Sequence, residues 1–417
     1  MPHLPPEHFE HNVDALAERQ PDVADAVRSV PVPAGVSPAT GRDGAPTLRV
    51  PGPDGDLIWF GGSSMPTVSA DAIVGRVPDD GGNVTLPGVL TGLEPLLLTR
   101  RLPPHVATFV VESDLASLRL ALHVYDYAPP IRAGRLVFIT GADIVAHLRA
   151  FFDAHPGYAF PARLISVPHR APSALAELTA RLEHAADEVT RVQTRLIEHA
   201  CKRLQARAPR AHTFAGAPAN AAARDTAHAP RAPEHRPRVA VVSVDVSPAT
   251  CAQTARIARA LARLEWPHEI CIPDAPDRCH VLARLAAVDR AAADFVLIVN
   301  GTTGLPRALL PDTLPVVSWC LPGTPPTMPA SQLRALSADL RPADEVKFVV
   351  GDRADYDWAR ESIDRFALVG RCEILLSPVH GRLAADALAA WVLADRLSVR
   401  VQIQLHKVIW SPEARGV

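Results

Sequence analysis

Arg400–Val417 reads RVQIQLHKVIWSPEARGV, and its first half decides how the end of the chain folds. Val401, Ile403 and Leu405 alternate with Gln402, Gln404 and His406, the period of two that marks a strand with one apolar and one polar face. Two amides and an imidazole on one face look like the wall of a site, and Gln404 with His406 is the best candidate pair for contacting a substrate. Working outward, Glu345–Val350 (EVKFVV) predicts a strand, Ala354–Phe366 a helix, Cys372–Leu376 a strand and Ala384–Arg396 a helix. Crossovers of that length force parallel pairing, and ligands of such sheets gather at the carboxyl ends of the strands. Asp352, Arg353, Ser377 and His380 fall at those ends. Asp352, Arg353 and Asp355 read equally well as a charged helix start, where the dipole favours carboxylates.

The segments PADEVKFVVGDRADYDWAR, LLSPVHG and VQIQLHKVIWSPEARGV resemble the C-terminal part of 7-carboxy-7-deazaguanine synthases, radical S-adenosylmethionine enzymes of the queuosine precursor pathway. The resemblance covers about residues 340–417. It implies the last parts of a partial β/α barrel, with Ser377 near the adenosyl cofactor and His406 near the pterin substrate. It also implies S-adenosylmethionine, a 4Fe–4S cluster and Mg. Such enzymes need a C-x3-C-x2-C triplet, because three thiolates hold three irons and leave the fourth for S-adenosylmethionine. The six cysteines here, Cys201, Cys251, Cys271, Cys279, Cys320 and Cys372, form no such triplet, and the family's Gly-Glu-Gly-type opening strand is absent. The expectation is a relative of the enzyme that is inactive alone.

Composition bounds the rest. With 417 residues, 48% hydrophobic and 21% charged, the chain has material for two or three folded domains. A net charge of −2 gives no argument for nucleic acid as a partner. Lys202, Lys347 and Lys407 are the only lysines; with 41 prolines, this bias reads as genome composition more than arginine chemistry. The start, MPHLPPEHFEHNVDAL, lacks the form of a secretory signal, and no window offers the roughly 18 apolar residues of a membrane span. Six scattered cysteines suit a reducing compartment. The expectation is a cytoplasmic protein without a membrane partner.

Residues 1–170 predict a Rossmann-like domain. Phe9, Val13, Leu16, Val23 and Val27 have helical spacing, and Thr47–Val50 with Leu57–Phe60 suggests a hairpin. Then come a strand Val84–Leu86, a loop Pro87–Gly92, a helix Leu93–Arg101 and a strand Ala107–Val111 ending in Glu112. Gly88 and Gly92 would let the backbone approach a ligand, the helix start favours an anion, and Glu112, about 20 residues beyond Gly92, can reach a ribose hydroxyl. The pattern G-x3-G is also what a purely structural Rossmann-like turn would show. The runs FEHNVDALAERQPDVADAV, GVLTGLEPLLLTRRLPPHVATFVVESDLASLRLAL and GRLVFITG are similar to the amino-terminal domain of bacterial glycosyltransferases of the spore-maturation type and flagellin-modification accessory factors. That resemblance implies a nucleotide or nucleotide-sugar ligand.

Residues 171–207 predict a long helix with a seam at Leu175, Leu178, Leu182, Ala186, Val189, Val192, Leu196 and Ala200. It reads as a solvated connector or as the seam of a homodimer. Residues 208–237 dissolve into Ala, Pro, Arg and His, the composition of a linker. Residues 238–325 begin a second parallel α/β domain resembling half of a nucleotide-sugar transferase. Asn300, at a strand end, is its candidate ligand-binding residue, against a plain polar turn. Residues 340–417 are expected to continue that domain in one common sheet. Three functions stay open: a synthase relative whose tail takes a pterin, a transferase-like protein taking a nucleotide sugar, and a non-catalytic fusion scaffold.

Overall fold

The computed structural model describes residues 4, 6–78, 82–168, 171–207, 236–243, 246–299, 305–306, 309–311, 314–319, 340, 342 and 344–403. They fall into two compact units, one drawn from residues 1–208 with 271–290 and the other from 209–270 with 291–417. Both are α/β, as the sequence predicts.

The first unit opens with α1 (Pro6–Arg19) and α2 (Pro21–Ser29). Phe9, Val13, Leu16, Val23 and Val27 are all buried, as their spacing requires. Two polar residues are buried with them. Asn12 donates through Nδ2 to the carbonyls of Leu122 and Tyr125 at 2.9 and 2.7 Å, and its Oδ1 accepts the Tyr127 N–H at 2.6 Å. Gln20 donates to the Phe138 carbonyl at 2.7 Å and accepts the Phe138 N–H at 2.9 Å, so one side chain satisfies both main-chain groups of a strand residue. An antiparallel meander, β1 (Ser37–Thr40), β2 (Pro46–Pro51) and β3 (Leu57–Trp59), and the helix α3 (Pro66–Val74) follow.

The parallel sheet is built from β4 (Val84–Pro87), β5 (Thr108–Glu112), β6 (Leu136–Thr140) and the short β7 (Arg163–Leu164), in the order β6-β5-β4-β7. Between them lie α4 (Leu93–Arg101), α5 (Leu115–Val124), α6 (Ala128–Arg132) and α7 (Ile144–Ala154). The chain runs outward from β4 to β6 and returns to the other side of β4, so the strand order reverses there. Both faces are covered, as a parallel sheet demands. Leu86, Val110 and Phe138 pack with Phe9, Leu16 and Leu118 on one side; Phe109, Val111 and Ile139 pack with Leu148 and Phe152 on the other. The long helix α8 (Pro172–Ala206) lies against α7, and Leu182, Ala185 and Val189 enter that second core. This part of the seam expected for a dimer is therefore already covered within the chain. On the same helix Arg191 meets Glu188 at 2.9 Å, an i,i+3 pair.

The second unit carries β8 (Val239–Ser243), α9 (Pro248–Arg263), β9 (His268–Cys271), β10 (Phe295–Val299) and β11 (Val316–Trp319), in the strand order β11-β10-β8-β9. The helix α10 (Val281–Ala291) lies between β9 and β10 in sequence, yet residues 271–290 group with the first unit. There the His280 N–H donates to the Gly157 carbonyl at 2.8 Å, and Asp289 pairs with Arg203 and Arg207 at 3.3 and 2.9 Å.

The tail is the predicted β-α-β-α-β run: β12 (Glu345–Val350), α11 (Arg353–Arg365), β13 (Glu373–Pro378), α12 (Ala385–Ala394) and β14 (Arg400–Val401). Its strands pair in parallel in the order β12-β13-β14. The common sheet expected with residues 238–320 is not formed among the described residues. Phe348, Val350, Leu376 and Val401 bury against Tyr356, Ala359, Leu388 and Val392 of the tail's own helices, which satisfies the apolar faces locally.

Candidate functional site

Two places combine strand ends with polar side chains. In the first unit it is the turn after β4, Gly88–Gly92. Gly88 and Gly92 have φ of 93° and 89°, and Leu90, with φ 54°, is left-handed without being glycine. Gly61 lies against the turn so closely that a Cβ there would run into the Leu90 carbonyl and the Thr91 Cα. Gly92 is the N-cap of α4, and Glu94 in the first turn reaches back across it to Thr91. Glu94 Oε2 accepts the Thr91 N–H at 3.1 Å and the Thr91 hydroxyl at 2.7 Å. At the end of β5, Glu112 Oε2 accepts the Val89 N–H at 3.1 Å, and its Oε1 accepts the Asp114 N–H at 2.8 Å. The Gly88 N–H goes to the Val111 carbonyl at 2.8 Å, and the Tyr127 hydroxyl donates to the Gly92 carbonyl.

By topology this turn is where a dinucleotide phosphate would rest. Here the N–H groups of Gly88, Val89 and Thr91 are bonded within the protein, two of them to carboxylates. Glu112, expected to meet a ribose, has both oxygens engaged by main chain. Burial pushes the Glu94 carboxyl up to about 7, against the lowering effect of its bonds to Thr91. Burial likewise raises the phenols of Tyr125 and Tyr127, and the charges around Glu94 add to it.

In the tail, alternation sorts the side chains onto two faces. Val346, Phe348, Val350, Ile374, Leu376 and Val401 turn toward the helices. Lys347, Val349, Leu375 and Ser377 take the opposite face, where Lys347 aligns with Leu375 and Val349 with Ser377. Just past β14, Gln402 joins them, its Oε1 accepting from Lys347 Nζ at 2.9 Å. Val349 is 50% exposed, while Ser377 is wholly buried and its Oγ has no partner among the described residues. At the end of β12, Asp352 caps α11 by accepting the Asp355 N–H at 3.1 Å, and Asp355 returns the bond to the Gly351 N–H at 2.9 Å. Arg382 reaches Asp352 at 3.0 Å. These charges are a helix start, the plainer of the two readings of that stretch.

The two halves of the expected site thus stand differently. Ser377 is placed at a strand end, facing away from the tail's helices. Gln404 and His406, and Asn300 of the other sheet, lie outside the described residues. Gly88, Gly92 and Glu112 meet in one turn. Sequence reasoning missed Glu94, although Thr91-x-x-Glu94 ahead of an apolar run is a recognisable sign of a helix start. It also missed Asn12, buried on the inner face of α1, and Gln20, at the junction of α1 and α2.

The residues do not fit an iron–sulfur cluster. Cys201, Cys251, Cys271, Cys279 and Cys372 form no disulfide and lie on separate stretches of the chain, and burial pushes Cys279 up to about 11, away from the thiolate that iron needs. Among the described residues no three His, Cys, Asp or Glu side chains are grouped to hold a metal ion. None of the described helices is long and apolar enough to cross a membrane.

Comparison with known proteins gives the tail a context. No family model matches the chain, and no solved structure matches it. The 7-carboxy-7-deazaguanine synthase of Chlorobaculum tepidum is 52% identical over 73 residues, 18% of this chain and 33% of that protein. The synthase of Koribacter versatilis is 41% identical over 91 residues, 19% of this chain and 40% of the relative. That of Methanospirillum hungatei is 32% identical over 155 residues, 36% of this chain and 62% of the relative. The chain thus spans about a third of the length of the first of these relatives. A 155-residue match that includes the C-terminal region reaches back past residue 340, into the sequence of the second α/β sheet. The glycosyltransferase resemblance of the amino-terminal part has no counterpart among these relatives. Through its C-terminal region, therefore, the chain is related to 7-carboxy-7-deazaguanine synthases.

Proposed function

We propose that the tail retains the substrate-side part of a 7-carboxy-7-deazaguanine-synthase-type β/α arc and takes a small heterocycle of the pterin class, while this chain does not by itself carry out the radical rearrangement. The observation that carries the reading is the two-sidedness of the tail sheet. Its helices bury Val350, Leu376 and Val401 on one face; the other carries the exposed Lys347, Val349 and Gln402 and the buried Ser377 hydroxyl, which has no partner among the described residues. A parallel sheet covered by its own helices on one face has the layering of an arc of a β/α barrel, whose other face points inward. Ligand contacts in such an arc come from the carboxyl ends of the strands.

The six cysteines supply no triplet for a cluster, so no step is assigned through iron or S-adenosylmethionine. The tail's own groups bind and orient. A buried hydroxyl lacking a partner gains most from a ligand that supplies one, and Gln402 held by Lys347 offers an amide N–H. A cytoplasmic location belongs to the same reading, and the scattered cysteines, which suit a reducing compartment, support it.

Anaerobic reconstitution with iron and sulfide, then calorimetric titration with 6-carboxytetrahydropterin, tests both clauses. The expected result is pterin binding with no iron–thiolate absorption band and no turnover when S-adenosylmethionine is added. Absence of pterin heat sinks the first clause and leaves the scaffold reading. A cluster band with turnover sinks the second. Heat with a nucleotide sugar instead of the pterin would move the site to the transferase reading.

A further inference from the structure

We propose that the Glu94 carboxyl is a proton-set latch on the turn Gly88–Gly92, holding the turn shut when neutral and releasing its main-chain N–H groups when ionised. Glu94 has no exposed surface. Its Oε2 takes both bonds from Thr91, and its Oε1 has no partner among the described residues. An ionised carboxylate would place part of its charge on that buried, unsatisfied oxygen, which is costly; the neutral acid avoids it.

The groups around it do not offset a negative charge. Glu112 at the end of β5 is a second carboxylate on the same turn. Tyr125 and Tyr127, from the segment after α5, are phenols that feel the Glu94 charge as unfavourable to their own ionisation. Asp43, between β1 and β2, acts on Tyr125 in the same sense. Asp71 on α3, the helix packed along α4, is exposed. All of these are acids or neutral. Burial holds the Glu94 carboxyl near about 7, so the change falls in the neutral range.

The turn is built to respond. Three of its five residues are left-handed, Leu90 among them, a conformation that persists only while its surroundings enforce it. Losing the Thr91 bond frees an N–H beside the start of α4, the place where a helix accepts anions. Shut, the turn's donors are taken by the neutral Glu94 carboxyl and by Glu112; open, they are offered to a ligand.

Amide hydrogen exchange on the full chain, corrected for intrinsic base catalysis, tests this between about pH 5.5 and about pH 8.5. The Val89 and Thr91 amides are expected to lose protection by about tenfold or more as pH rises through neutrality, while amides of β5 and β6 hold steady. Glu94→Gln is expected to flatten the profile. A flat profile in the unmodified protein overturns the proposal, as does an unchanged pH-dependent loss in Glu94→Gln. Should that variant fail to fold, a carboxyl carbon titration of Glu94 in the unmodified protein decides: a midpoint in the ordinary carboxylate range overturns the latch.

Discussion

The turn Gly88–Gly92 and the tail around Ser377 occupy the same topological position, the carboxyl end of a parallel strand leading into a helix, and they treat polar groups in opposite ways. In the first, every named donor is matched by the protein itself: Val89 by Glu112, Thr91 by Glu94, Gly88 by the Val111 carbonyl. In the second, a hydroxyl is buried with no partner among the described residues, on the face turned away from its own helices. Matched donors are what a structural turn needs, and there the unmatched atom is an acceptor, Glu94 Oε1; an unmatched hydroxyl is a cost that a ligand can offset. Topology and glycine spacing alone mark both places as sites, and the bookkeeping of donors separates them.

Breaking the closed turn should have the largest effect. Gly61→Ala places a Cβ into the Leu90 and Thr91 backbone at φ +66°, and should destabilise the first unit by about 4 kcal/mol. Urea unfolding followed unit by unit through hydrogen exchange checks this, with the tail's β13 amides unaffected.

The next effect is on pH. The Glu94 carboxyl sits at about 7 in the folded protein against an ordinary 4.5. A raised folded value means its contribution is whole below the ordinary carboxyl range and is lost as pH rises through about 7. The first unit should therefore lose up to about 3 kcal/mol between about pH 5 and about pH 8. Urea titrations at several pH values measure the slope, and Glu94→Gln should remove most of it. Glu112→Ala follows, orphaning the Val89 and Asp114 N–H groups at about 2 kcal/mol. If Glu112→Ala cost nothing, the turn would not be held by its carboxylates and the contrast with the tail would fail.

Much of this was legible in sequence. The helix Leu93–Arg101 was bounded to the residue, because Gly92 precedes it and Leu102-Pro103-Pro104 ends it. The strands β4, β5, β12 and β13 were legible from their apolar runs or alternation. β1, reading SPAT, was missed: it has no apolar alternation and exists as a strand by pairing with β2. α6, reading APPIR, carries two prolines that argue against a helix, yet they occupy its first turn, where no N–H is needed. Gln20 and Asn12 were illegible because their partners lie 118 and 110–115 residues away. The expected common sheet failed for a related reason: a period of two tells which side chains share a face, not which strand lies alongside. Cysteine spacing was the most decisive signal, since a missing triplet needs no fold to interpret.

The smallest effect is the one that tests the open side of the comparison most directly. Ser377→Ala removes a buried hydroxyl that makes no bond among the described residues, so the ligand-free tail should be unchanged or stabilised by up to about 1 kcal/mol. That is the opposite sign to Glu112→Ala, although both delete a buried polar group at a strand end. The same substitution should weaken pterin binding by about tenfold, because the hydroxyl's only reward comes from the ligand. Calorimetric titration and urea unfolding on one preparation read both quantities. A Ser377→Ala protein that is less stable without ligand would mean the hydroxyl is already satisfied inside the protein, and the tail would then be as closed as the turn after β4. A protein equally stable but with unaltered pterin affinity would leave the tail's open face intact and move the ligand contact to other side chains on it, Gln402 first.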